Sequence, residues 1–111
     1  MTDLTNAKQS LTSYSVKELN ESIGLLLSRG FAPKFILKAT VSKSQIKKGH
    51  LWLTLTDGKA CVAGVAWSST IKSLKFLPKQ DDGVVVIGKI NFWESQARLS
   101  VQVFDIRPSI S

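Results

Sequence analysis

Gly49-His50-Leu51-Trp52-Leu53-Thr54-Leu55-Thr56-Asp57-Gly58 decides how the rest of the chain must be arranged. Leu51, Leu53 and Leu55 share one face of a period-two pattern, His50, Trp52, Thr54 and Thr56 share the other, and Asp57-Gly58 is a hairpin turn signal. The pattern predicts the central strand of an antiparallel sheet. Its inner face is wholly aliphatic. Its outer face carries a Trp and a His, and an apolar ring facing water is better buried, so that face needs a partner. The basic residues just upstream point to an anionic one.

Toward the N-terminus, Phe35, Leu37, Ala39 and Val41 alternate with Ile36, Lys38, Thr40 and Ser42, which predicts a first strand. Residues 43–49, Lys-Ser-Gln-Ile-Lys-Lys-Gly, read as a basic loop leading into the Trp52 strand. Before them a helix is predicted over about 15–29. Ser15 and Glu18 are spaced as a capping box, and Tyr14 and Leu19 as a hydrophobic staple. Val16, Leu19, Ile23, Leu26 and Leu27 make its expected buried stripe. Gly30 is placed to adopt a left-handed conformation after the helix, and Pro33 prevents continuation. Residues 1–13 show no periodic apolar face and are expected to be a flexible leader.

Toward the C-terminus, Lys59 to Trp67 reads as a third strand. The small residues Ala60, Ala63, Gly64 and Ala66 suggest strong curvature, as in a small barrel. Ile71, Leu74 and Leu77 are at roughly helical spacing, closed by Pro78, so a short helix is expected. Asp81-Asp82-Gly83 turns the chain into a long fourth strand ending at Trp93, in which Gly88 marks a bend. After a connection at 94–97, Leu99, Val101 and Val103 point inward on a fifth strand, Arg98 to Ile106, which Pro108 ends. Residues 109–111 are a tail. The order is helix, three strands, helix, two strands. This is the order of an OB-fold, a mainly β, five-stranded Greek-key barrel that commonly binds oligonucleotides on its second and third strands. A five-stranded SH3-like barrel is the alternative, and the helix before the fourth strand argues against it.

The totals agree with one domain. The 111 residues are 43% hydrophobic and 21% charged, a globular composition, and a net charge of +7 favours polyanionic partners. The single cysteine, Cys61, rules out an internal disulfide and makes the cytoplasm the natural compartment. No apolar run reaches the roughly 18 residues of a membrane span, so no membrane partner is expected.

Tyr14-Ser15-Val16-Lys17-Glu18-Leu19-Asn20, Gly49 to Leu55 ending at Asp57, Gly88-Lys89-Ile90 and the Trp93 position together resemble the N-terminal domain of the large subunit of exodeoxyribonuclease VII, over about residues 14–108. The Tyr-Ser-Val-x-Glu-Leu-Asn opening is the most specific part. The resemblance implies an OB-fold that binds single-stranded DNA for a separate, following catalytic domain, in an assembly with a small subunit. The sequence departs from the family where Ala39-Thr40-Val41-Ser42-Lys43 replaces an acid-containing segment, and where Trp67-Ser68-Ser69-Thr70 replaces an Arg-containing one. The chain stops at Ser111, where the family continues into its catalytic region, so a truncated portion of a longer protein is expected.

Single-strand binding needs cations for phosphates and flat rings for bases. Lys38, Lys43, Lys47, Lys48 and Lys59 lie on or beside the first three strands, and Asp57 is the only acid between Phe31 and Cys61. Trp52 and Trp67 can share one outer face. Trp93 and Arg98 flank the last hairpin, and the loops at Lys43–Lys48 and Trp93–Arg98 are expected to meet at the binding cleft. Each assignment has a rival. Trp52 could be covered by the first helix, Trp67 could be core, Trp93 could cap the barrel, and single lysines are ordinary solvated charge. His50 reads as a strand residue or a hydrogen-bond donor to DNA, since no second metal ligand has suitable spacing.

Catalytic residues, metals and cofactors are not expected. Asp81-Asp82 is better explained by a turn, and His50 is the only base available to Cys61. Two rivals to DNA binding stand beside it: a module that docks the catalytic domain or a second subunit through Trp52, Trp67 and the helix, and an RNA-binding domain, which contact with the 2′-hydroxyl would reveal.

Overall fold

In the computed structural model, which describes residues 11–109, Leu51, Leu53 and Leu55 face inward and are buried with Val41, Val84, Val86, Val101, Val103 and Ile106 in one core. The elements are α1 (Val16–Gly30), β1 (Phe35–Lys47), β2 (His50–Thr56), β3 (Cys61–Ala66), α2 (Ser68–Ile71), β4 (Gly83–Trp93) and β5 (Arg98–Pro108). The strands close a barrel in the order β1-β2-β3-β5-β4. Only the β3–β5 pair is parallel. This is the predicted five-stranded OB-fold with a helix ahead of it and a short one between β3 and β4. Burying each of these aliphatic side chains contributes about 1.5–3 kcal/mol, and closure removes most of the exposed strand edge.

Two glycines are fixed by the geometry of this small barrel. A Cβ on Gly88 would stand 2.7 Å from the Gln102 carbonyl oxygen, and the β4–β5 register shifts between Ile87 and Gly88, so the expected bend is a bulge that only glycine fits. Gly49 has φ +81° beside Lys48 at φ 54°. With Lys47 paired to His50, these two residues form a two-residue hairpin turn in which both central positions are left-handed.

The basic segment expected to be a loop is instead strand. β1 runs on to Lys47, and a register shift between Val41 and Lys43 leaves Ser42 as an extra residue. The bulge exchanges the outward set from Lys38 and Thr40 to Lys43, Gln45 and Lys47, which lie opposite Thr54, Trp52 and His50. Ser44, turned to the other side, donates its hydroxyl to the Pro78 carbonyl at 3.0 Å.

The first helix begins as predicted. The Ser15 hydroxyl accepts from the Glu18 N–H at 3.1 Å, and the Glu18 carboxylate accepts from the Ser15 N–H at 2.9 Å. The Ser15 backbone N–H, then its hydroxyl, hold the Glu18 carboxyl below its ordinary pKa of 4.5. The expected buried stripe is not observed. Val16 is 76% and Leu26 69% exposed, Leu19 is exposed too, and only Ile23 and Leu27 are half-buried. The helix turns its Asn20 and Gly24 side to β4: the Asn20 amide donates to the Glu94 carbonyl at 2.6 Å, and a Cβ on Gly24 would already be 3.3 Å from Phe92 and Glu94. Close approach at the smallest residue, with a satisfied polar bond, sets the docking face and displaces the larger leucines. Gly30 is the last helical residue rather than a left-handed cap, because Phe31 leaves the helix in an extended conformation.

α2 is also shorter than expected. It ends at Ile71, while Leu74 reaches the core from irregular chain and Leu77 is exposed. Only residues 11–13 of the expected leader are described, all exposed, and 1–10 and 110–111 lie outside the described residues.

Candidate nucleic-acid interface

Antiparallel pairing puts opposed residues on one face, so the outer surface can be followed strand by strand. Gln45, Trp52, Val65, Gln102 and Lys89 form one row across β1, β2, β3, β5 and β4. Lys43, Thr54 and Ala63 form the next row, and Lys47 pairs with His50 above it.

At the end of this face nearest the Lys48-Gly49 turn, three rings pack together. The His50 and Trp67 ring centres are 5.1 Å apart, Trp52 and Trp67 5.9 Å, and His50 and Trp52 6.4 Å, each pair within a few degrees of perpendicular. Edge-to-face contact matches positive ring edges to negative faces and contributes roughly 0.5–1.5 kcal/mol per pair. The cluster is pinned at two points: the Trp52 indole N–H donates to the Lys47 carbonyl at 3.3 Å, and His50 Nδ1 accepts the Ser68 N–H at 3.0 Å. The second bond makes Nε2 the protonated nitrogen of the neutral imidazole and leaves it as a donor. Val65, opposite Trp52 on the outer face, is 1% exposed, so this cluster acts as a small second core outside the barrel.

The helix is not what covers Trp52, since α1 docks on the far end of β4. Nor is Trp67 part of the barrel core; it stands at the N-terminus of α2, half-buried against its two neighbours. No two of the three planes are parallel, so they cannot clamp a base between them. A base can stack only on a free outer face.

The lysines beside the cluster are unneutralised. The ion pairs among the described residues are Lys17–Glu21 and Arg107–Asp105, leaving Lys43, Lys47 and Lys48 without a carboxylate partner. At the opposite end of β2, Asp57 Oδ1 accepts the Lys59 N–H at 2.8 Å and the Ala60 N–H at 2.9 Å, and these bonds, Lys59 first, hold its carboxyl below its ordinary pKa of 3.8.

The other sequence-selected residues lie elsewhere. Lys38 faces out opposite Val85 on the β1–β4 side, and Lys59 is in the Asp57-Gly58 turn. Trp93, 53% exposed, pairs across the last hairpin with Arg98. The two loops do not meet. The β1–β2 turn adjoins the C-terminal end of β3, where Leu51 opposes Ala66. The parallel register of Gly64 with Val101 sets Arg98 level with Cys61 at the N-terminal end of β3. The strip between the loops therefore runs along β3. Sequence reasoning passed over Gln45, Lys89 and Gln102 on this strip; with the bulge unseen, no alternation count would have placed Gln45 there.

The family model described as an OB-fold nucleic acid binding domain matches residues 14–107. The exodeoxyribonuclease 7 large subunit of Synechococcus sp. (strain CC9311) is 61% identical over 93% of this chain and 26% of its own length, and that of Bordetella avium (strain 197N) is 27% identical over 84% of this chain and 21% of its own. The chain thus spans about a quarter of the length of these relatives. Among solved structures, a replication protein A heterotrimer bound to ssDNA matches with TM-score 0.59 and 18% identity over 72% of this chain and 60% of that one. The SSB domain of a Synechococcus sp. protein matches with TM-score 0.53 and 17% identity over 69% of this chain and 96% of its own. At these identities they speak for the fold alone. Among the described residues no helix is long and apolar enough to cross a membrane. A closed barrel with its outer strip of rings and lysines, and a family match over nearly all the described residues, lead to one conclusion: the chain belongs to the OB-fold nucleic acid binding domain family, in the version that resembles the N-terminal domain of exodeoxyribonuclease 7 large subunits.

Proposed function

We propose that the outer face of β1, β2 and β3 binds single-stranded DNA, and that within an exodeoxyribonuclease large subunit this domain guides the strand toward the catalytic region, with the small subunit as a further partner of the assembly. Phosphates are neutralised by Lys43, Lys47 and Lys48. One base stacks on the open face of the His50–Trp52–Trp67 cluster and another on Trp93 at the far end of the strip, with Arg98 beside it. His50 Nε2–H donates to the backbone. Lys38 and Lys59, away from the strip, contribute through the field of the domain. Such binding carries little sequence preference, because every base has a stackable face and every nucleotide a phosphate.

The observation supporting this reading is the juxtaposition, by the bulge at Ser42, of Lys43 and Lys47, and with them Lys48 of the turn, none with a carboxylate partner among the described residues, with a pinned ring cluster. The experiment is fluorescence anisotropy of a labelled single-stranded oligonucleotide at several salt concentrations, with duplex DNA and single-stranded RNA of equal length as competitors. Single-strand preference, a steep fall of affinity with salt and no advantage for RNA are expected. Equal competition by duplex would remove the stacking, and stronger competition by RNA would move the reading to an RNA-binding domain.

The exposed Val16, Leu19 and Leu26 of α1 favour a second role, compatible with the first, in which the helix docks the domain on the catalytic region. Leu19→Glu with Leu26→Glu is then expected to weaken that association and leave oligonucleotide affinity unchanged.

A further inference from the structure

The side of the barrel built by the first half of β1 with β4 and β5 carries aliphatic side chains where the ring cluster side carries aromatic ones. Ile36, Ile87 and Asp105 form one outer row across β1, β4 and β5, and Lys38, Val85 and Arg107 form the next. Ile36 is 68% and Ile87 40% exposed, and Val85 is half-buried between Lys38 and Arg107. Lys34, two residues before Ile36, holds its Nζ 4.7 Å from the centre of the Phe104 ring. The ridge is therefore aliphatic and its rim basic. Asp105 is the one acid in the two rows, and its carboxylate already accepts from the Arg107 Nε–H and the Ile106 N–H, each at 3.0 Å. Neither Lys34 nor Lys38 has a carboxylate partner among the described residues. Asp81 and Asp82 enter only past the Thr40–Gly83 pair, in the turn ahead of β4.

Three features choose the occupant. Aliphatic side chains give no surface on which a base stacks, and Phe104, the ring at this rim, has Lys34 over it. β4 is paired on both sides through these rows, so no strand can be added to it here. What remains is packing on the face itself, and three strands span about 10 Å, the width of one α-helix. A rim of three cations against one committed carboxylate selects acids beside the apolar stripe of that helix. It also disfavours a second copy of the same face, whose cations would meet their own kind.

We propose that this face docks an acidic amphipathic helix of a partner protein, with the apolar stripe of the helix laid across Ile36, Val85 and Ile87 and its flanking carboxylates on Lys34, Lys38 and Arg107. The apolar contact supplies the burial that an exposed aliphatic ridge calls for, and the charges fix which helix is accepted. The face shares no residue with the strip along β3, so a helix bound there leaves the nucleic-acid path open.

The test titrates the isotope-labelled chain with a synthetic blocked helical peptide of about 18 residues, long enough to hold a helix, with Leu at every third and fourth position, Glu beside that stripe and Ala elsewhere. Two further peptides are compared, one with every Glu replaced by Gln and one with every Glu replaced by Lys. Saturable shifts centred on Ile36, Lys38, Val85, Ile87 and Arg107 are expected, with the indole signals of Trp52 and Trp67 unmoved. Affinity should fall by about tenfold for the Gln peptide and be lost for the Lys peptide, since the first keeps the apolar stripe without its charge and the second opposes the rim. Ile36→Thr with Ile87→Thr, both exposed and both still β-branched, is expected to weaken peptide binding by about tenfold or more while oligonucleotide affinity stays unchanged. The bound peptide should also stay in place when single-stranded DNA is added to saturation. Absence of saturable binding by the Glu peptide, equal affinity for its Gln form, displacement by the oligonucleotide, or shifts centred on Lys43–Trp52 would overturn the proposal. Shifts of the same residues that appear on raising the concentration of the chain alone would give the face to a second copy and overturn it too.

Discussion

The two long hairpins of this barrel carry tryptophans in opposite ways. On β1–β2, Trp52 is locked edge-on to His50 and Trp67, donates to a backbone carbonyl and covers a buried valine, so its cost of ordering is met before any ligand arrives. On β4–β5, Trp93 stands more than half exposed beside Arg98 with no ring neighbour within stacking distance among the described residues. One hairpin presents a pinned ring cluster with Lys43 and Lys47 on the same outer face. The other presents a single ring that is free to find a base and must lose rotamer freedom to do so. A ring's worth to the fold and its worth to the ligand are therefore expected to trade places between the two ends of β3.

The largest effect separates charge from rings. Lys43→Glu with Lys47→Glu should cost roughly a hundredfold in single-strand affinity at low salt and flatten the salt dependence by about 1.4 in log–log slope, as two lost phosphate contacts require. Both side chains are exposed, so the melting temperature should hardly move. Retained affinity with an intact fold would remove this face from the account.

Next come the rings themselves. Trp67→Ala should destabilise the domain by about 3 kcal/mol, because it opens the small outer core over Val65, and should lower affinity too. Trp93→Ala should change stability by less than about 0.5 kcal/mol while costing about 1–3 kcal/mol of binding. Denaturant melts and anisotropy on the same two proteins check the exchange of roles. Equal stability losses would erase the contrast between the hairpins.

A smaller effect concerns the turn. Lys48 is held at φ 54°, where a side chain with a Cβ costs roughly 1 kcal/mol and Asn or Gly costs less. Lys48→Asn should therefore raise stability by about 0.5–1 kcal/mol and weaken DNA binding slightly, the signature of a charge kept at a strained site. The smallest lies far from either hairpin tip. The Glu18 carboxyl is held below 4.5, so its contribution is present above that pH and is lost as pH falls through the lowered value. Acid melts of the chain and of Glu18→Gln should diverge above pH 4.5 and converge below it.

Much of this was legible because β2 is a strict alternation bounded by a strong turn, and because the capping box leaves little choice about where α1 begins. Three features were not. The bulge at Ser42 depends on β1 serving two partners, β4 on its first half and β2 on its second, and no local pattern in Thr40-Val41-Ser42-Lys43 announces it. The docking face of α1 was decided by Gly24 and Asn20, whose value lies in what they allow β4 to approach, and a hydrophobic stripe cannot register that. The separation of the two loops follows from the parallel β3–β5 pair, a tertiary fact. Of the candidate residues, Lys43, Lys47, Lys48, His50, Trp52 and Trp67 do come together, whereas Lys38, Lys59, Trp93 and Arg98 lie apart from them.

Three tryptophans give three indole N–H reporters, and following their signals as single-stranded DNA is added tests the account most directly. It predicts that the Trp52 and Trp67 signals move together from the first additions, that Trp93 moves with the same midpoint because one strand spans the length of β3, and that all three return as salt is raised. Movement of Trp93 alone, or of none of them while anisotropy reports binding, would contradict it and put the nucleic-acid site elsewhere on the barrel.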